Sequence, residues 1–149
     1  MNFEELKVGF PQVVPMVGTL NLEFVDLDFQ TAVMKMPDQQ PFHNHIGGPH
    51  AGAMFTLAES ASGALVWANF AEYLAEVTPL AVEATIRYRK LAMGPVTATA
   101  TMTRTREQIL DELNGGGRPE FLVEISIATE DGTVTGEMTI VWTLKKSRK

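Results

Sequence analysis

Apolar and polar positions follow two kinds of pattern along this chain, and their order predicts the architecture. Strict alternation runs from Phe29 to Met36, where Phe29, Thr31, Val33 and Lys35 stand against Gln30, Ala32, Met34 and Met36. It returns from Val96 to Thr103, with Val, Ala and Met on one face and β-branched threonines on the other. Phe121 to Thr129 and Thr133 to Leu144 read as two more strands, joined by Glu130-Asp131-Gly132, a strong hairpin signal. The last of these strands puts Val134, Met138, Ile140, Trp142 and Leu144 on one side. Gly18 to Val25 and Pro79 to about Leu91 complete the predicted strands. Asn2 to Val8 reads as a short helix, with Asn2 and Glu5 as a capping box and Gly9 and Pro11 as its end. Arg104 to Pro119, charged and holding Gly115-Gly116-Gly117, predicts a mobile loop with at most one helical turn at Ile109 to Leu113. Lys145 to Lys149 reads as a solvated basic tail.

Pro41 to Phe70 breaks both patterns. A Gly47-Gly48-Pro49 turn leads into a segment from His50 to Phe70 whose residues are apolar or small all around the helical wheel. Such a helix must be wrapped by protein. It nevertheless carries one carboxylate, Glu59, which is costly to bury unless paired, hydrogen-bonded or protonated. A satisfied core glutamate is one reading and a functional one the other. One sheet with one long buried helix is an α+β architecture, and short turns between the later strands make that part of the sheet antiparallel.

Composition narrows the function. The 149 residues suit one domain, spanning 1–149, and 45% hydrophobic with 20% charged residues is ordinary for a globular protein. A net charge of −6 argues against nucleic-acid and anionic-membrane partners. The absence of cysteine excludes disulfides, thiolate nucleophiles and zinc–cysteine sites. No basic start followed by an apolar run marks a signal peptide, and the helix is a poor membrane span, so a cytoplasmic location is expected. His43 and His45 lack an evident third ligand, so no metal or other cofactor is expected. The triple glycine lacks the strand-to-helix context and the following Lys-Ser/Thr of a phosphate loop.

Asn44, Gly47, His50-Ala51-Gly52 and Leu57-Ala58-Glu59 resemble the phenylacetyl-CoA (PaaI-type) branch of the hotdog thioesterases. That branch reads Asn, then His-Gly-Gly at the helix start, then Leu-Ala-Asp/Glu. The resemblance implies a hotdog fold, an antiparallel sheet wrapped around one long helix. It implies hydrolysis of acyl-CoA thioesters by a homodimer or homotetramer with its sites between protomers. Asn44 then matches the side chain that positions thioester or water, and His50 the histidine before the helix. Ala51 matches the residue whose N–H meets the thioester oxygen, and Glu59 the general base or nucleophile. Ala51 departs from the family glycine, keeping the N–H but adding a methyl. Gly52 and Thr78 join the substrate-binding candidates. Arg87 and Arg89 share a strand face and either stay exposed or meet coenzyme A phosphates.

Helix physics agrees with these roles. The first N–H groups of a helix are unpaired and sit at its positive end, where they can hold an oxyanion. Ala51 and Glu59 lie eight residues apart. At the usual helical rise they are ~12 Å apart along the axis. One thioester carbon cannot touch both, so Asn44 and Ala51 are expected from one protomer and Glu59 from its partner. Two other readings stay open. In a hydroxyacyl-thioester dehydratase His45 and Glu59 would act as a pair, although that family's Pro-Gly-Val helix start is missing. In a non-catalytic acyl-CoA-binding module the alanine would mark lost chemistry.

Overall fold

The computed structural model describes residues 1–148. Elements run α1 (Phe3–Val13), α2 (Pro15–Thr19), β1 (Glu23–Leu27), β2 (Thr31–Met36), α3 (Ala51–Phe70), β3 (Val77–Tyr88), β4 (Val96–Met102), α4 (Arg106–Asn114), β5 (Glu120–Thr129) and β6 (Val134–Lys146), with 3-10 turns at Gln40–Phe42 and Ala71–Tyr73. Six strands form one antiparallel sheet in the order β1-β2-β4-β5-β6-β3. Helix α3 packs along its inner face, chiefly on β2, β4 and β5. This is the hotdog arrangement.

Helix α3 is buried almost all round because its residues are small or apolar. Ala58, Ala61 and Ala64 let the sheet come close, while Leu57, Leu65 and Phe70 fill the spaces and are completely buried. Each such large side chain contributes about 1.5–3 kcal/mol by leaving water. One stripe is less covered: Phe55, Thr56, Glu59, Gly63 and Trp67 remain partly open. Strand β2 keeps its alternation, with Ala32, Met34 and Met36 inward. Strand β6 buries Met138, Ile140, Trp142 and Leu144, while Val134, placed beside them in sequence, stays exposed. Gly132, at a φ of +84, closes the β5–β6 hairpin. Beside it Asp131 Oδ1 accepts from the Thr129 hydroxyl and the Thr133 N–H, bonds that hold its carboxyl down to about 2.

Five expectations need correction. The first helix runs on through Gly9 and Pro11 to Val13. Phe10 anchors that stretch, meeting Phe24 and Trp67 edge to face. Asn2 does cap it, its Oδ1 accepting from the N–H groups of Glu4 and Glu5. The expected strand from Gly18 begins only at Glu23, because Pro15 opens a further helical turn and Asn21 takes a φ of 50. Phe29 belongs to a turn, since Asp28 Oδ1 accepts from the N–H groups of Gln30 and Thr31. The expected mobile loop contains α4, started by a reciprocal capping box between Thr105 and Gln108. Its apolar residues Ile109 and Leu113, one turn apart, are buried. At the basic end, Lys145 and Lys146 belong to β6 and pair with Thr78 and Val77, while Lys149 lies outside the described residues.

Candidate functional site

The loop ahead of α3 is built around Asn44. Its Oδ1 accepts from the N–H groups of Ile46 at 3.0 Å and Gly48 at 3.1 Å. Its backbone N–H donates to the Gly48 carbonyl at 2.8 Å. The remaining group, Nδ2, has only a long 3.4 Å contact to the Pro49 carbonyl. Gly47 takes a φ of +79, the left-handed region that glycine enters without cost. A Cβ on Gly48 would lie 2.4 Å from the Ala92 carbonyl oxygen, so this loop rests on the segment after β3 only as glycine.

His50 caps α3. Its Nδ1 accepts the Gly52 N–H at 2.8 Å, which requires an unprotonated Nδ1. Gly52 therefore has its N–H occupied. The Ala51 N–H, one position earlier, has no partner among the described residues and lies at the exposed helix start. Tyr88, which the motif reading missed, donates its hydroxyl to the Ala51 carbonyl at 2.8 Å. Alternation along β3 carries the signal for it: Tyr88, opposite Gly136, lies on the other face of the strand from Arg87. A groove of 350 Å³ opens here, lined by Asn44, Ala51, Met54, Tyr88, Arg89 and Lys90 among others.

Glu59 belongs to another hollow. It lines a cavity of 160 Å³ with Phe10, Val14, Gly63, Trp67 and Trp142. Its carboxylate has no hydrogen bond or ion pair among the described residues, and burial raises its pKa above 4.5. The backbone at this point is held firmly. Trp142 Nε1 donates to Ser62 Oγ at 3.2 Å, and Ser62 Oγ donates to the Glu59 carbonyl at 2.7 Å. Ser60 Oγ, buried on the same stretch, has no partner. Within one protomer Ala51 and Glu59 thus face different hollows on the same helix.

The remaining candidates are more dispersed. Arg89 borders the groove, but its Nε is bound to Glu137 at 2.6 Å. Arg87 pairs in register with Glu137 on the outer side of the sheet and does not line the groove. Thr78 is exposed at the start of β3, opposite Lys145. His43 bonds Asp38 at 2.6 Å, and His45 is exposed. No group of three or more His, Cys, Asp or Glu poised for a metal occurs among the described residues. No helix there is long and apolar enough to cross a membrane. A hollow of 530 Å³ at the other end of α3 is lined by Phe29, Asn69 and Arg106 among others and holds none of the motif residues.

Known structures share this architecture. A Pseudomonas aeruginosa protein of unknown function, described as a probable thioesterase, is 28% identical over 99% of this chain and 97% of its own, with a TM-score of 0.87. A thioesterase family protein from Silicibacter pomeroyi is 19% identical over 98% of this chain and 100% of its own, with a TM-score of 0.76. A mutant thioesterase from Pseudomonas aeruginosa is 21% identical over 99% and 96%, with a TM-score of 0.72. Those two likenesses speak for the fold alone. No curated protein matches the chain by sequence. A family model described as "Domain of unknown function (DUF4442)" matches residues 4–144, and the chain belongs to that family, on the hotdog fold of the thioesterase superfamily.

Proposed function

We propose that the protein is an acyl-CoA thioesterase whose site is shared by two copies of the chain. Glu59 carries this reading: a carboxylate without a partner among the described residues, beside a largely apolar cavity, on the least covered stripe of α3. As a base it takes a proton from water, and the hydroxide attacks the thioester carbon. The oxyanion meets the unpaired Ala51 N–H of the other copy, where a preorganised donor is worth ~3 kcal/mol. Collapse breaks the C–S bond, and the proton on Glu59 passes to the departing thiolate. As a nucleophile Glu59 would instead form a mixed anhydride that water then cleaves. Asn44 Nδ2 is weakly held and can turn to the thioester or the water. His50 holds the helix start in place through Gly52.

Sharing is supported by what one copy leaves open. Among the described residues, strand β3 pairs with β6 alone, and its other edge is unpaired. It exposes Leu80, Val82 and Tyr88. An unpaired edge of this length invites a further strand. A two-fold pairing of β3 with a second copy would continue the sheet and set the open stripes of the two helices near each other. Incubating the purified protein with acyl-CoA and a thiol reagent tests the activity. Release of free thiol by the wild type and not by Glu59→Gln is expected. Hydration of crotonyl-CoA without thiol release would move the assignment to a dehydratase.

A further inference from the structure

We infer that the cavity beside Glu59 is the acyl-chain pocket, admitting a compact group of up to about six carbons, with its far end set by the N-terminal helix. The inference rests on the thioesterase reading above and adds the substrate class. Three observations carry it. The walls are largely apolar, with three large rings, Phe10 from the first helix, Trp67 from the central helix and Trp142 from the last strand, beside Val14 just after the first helix; Glu59 and Ser60 are the polar members. The volume is 160 Å³. A dry apolar cavity of about 150 Å³ takes up benzene, so one ring or a short branched chain fills such a space and a long fatty chain does not.

Gly63 is the third observation. It lies in the middle of α3 on the cavity wall, where glycine weakens a helix relative to alanine. Its backbone does not call for glycine. A Cβ there would stand 3.7 and 3.8 Å from two Trp142 ring atoms and 3.9 Å from Phe10, ordinary contact distances. What the missing methyl leaves is space, at the place where the ring edges of Phe10 and Trp142 converge. Phe10 is itself fixed, packed edge to face on Phe24 and Trp67. The pocket's depth is therefore set by α1, an element outside the motif that carries the chemistry.

Affinity for non-hydrolysable acyl-CoA thioethers of graded acyl size, measured by calorimetry on the full chain, tests this without requiring turnover. The wild type should bind more tightly as the acyl group grows to about six carbons, then lose affinity. Gly63→Ala should lower affinity for the largest accepted group about ten-fold or more, the usual effect of one methylene in a hydrophobic pocket, and leave the smallest within about twofold. Val14→Ala should move the optimum to larger groups. Identical size profiles in the wild type and both variants would overturn the inference. Shifted profiles without thiol release from any thioester would keep the pocket and remove the thioesterase reading. Thiol release with an unshifted profile would do the reverse.

Discussion

On the proposed reading, Glu59 sets stability against chemistry in a single side chain. Its pKa is raised by burial, so the folded state holds the proton more tightly than the unfolded state does. The fold is therefore favoured below the ordinary glutamate pKa, and that contribution is lost as pH rises through the raised value. Glu59→Gln should melt higher than the wild type at neutral pH, with the gap closing on acidification below about 4.5. The same variant should lose nearly all thiol release, and the acid limb of the wild-type rate should lie above the usual glutamate range. Equal melting at neutral pH, or undiminished turnover, would contradict this account. Ala51 asks the complementary question. Ala51→Gly keeps the donor and should leave turnover similar or raise it for bulky acyl groups. Ala51→Pro removes the donor and should lower turnover by about 10²–10³, measured after circular dichroism confirms the helix. At this scale the sequence offered candidate residues but not how they are engaged. Nothing in His-Ala-Gly says that the Gly52 N–H is taken by His50 Nδ1, or that Asn44 Oδ1 is spent on its own loop. Those are three-dimensional facts about short-range hydrogen bonds.

Elements were legible where one pattern ran without competition. Strand β2 alternates and α3 is apolar all round, and both appear with nearly the expected bounds. Misreadings cluster where glycine and proline were taken as stops. Buried Phe10 carries α1 past Pro11, and Thr105 with Gln108 starts a helix in a stretch that glycines made look loose. The signal for α4 was present as Thr-x-x-Gln followed by Ile109 and Leu113, the spacing of a capping box and one buried face. Thr105→Ala should consequently destabilise the protein by about 1 kcal/mol, read as a lower denaturation midpoint with unchanged slope. No change in midpoint would mean that packing of Ile109 and Leu113 alone maintains the helix.

For the whole molecule the decisive matter is whether one copy is enough. Sedimentation at micromolar concentration should show a dimer or a larger assembly. Mixing two inactive variants gives the sharper measurement. If Ala51 and Glu59 act across protomers, refolding Glu59→Gln together with Ala51→Pro creates mixed dimers with one intact site each. Random pairing makes about half of the dimers mixed, so about a quarter of wild-type activity should return. A mixture as inactive as its components would place each site within one chain and remove the shared-site model. Fold class was readable in advance from element order, whereas the division of the helix into two separate hollows needed the packed sheet.

The place of β3 has a further consequence, for the order of events during synthesis. This strand follows α3 directly in the chain, yet its only partner in the sheet is the last strand, with Val77 opposite Lys146. While the ribosome is still making β4 and β5, β3 has no neighbour, and both of its edges are open. Its pairing closes a long loop, a slow step compared with the local β5–β6 hairpin. Tyr88 stands opposite Gly136 near the start of β6, so the groove beside Ala51 is completed only once β6 has paired with β3. On the proposed reading, the donor side of the site would then be withheld until β6 is in place.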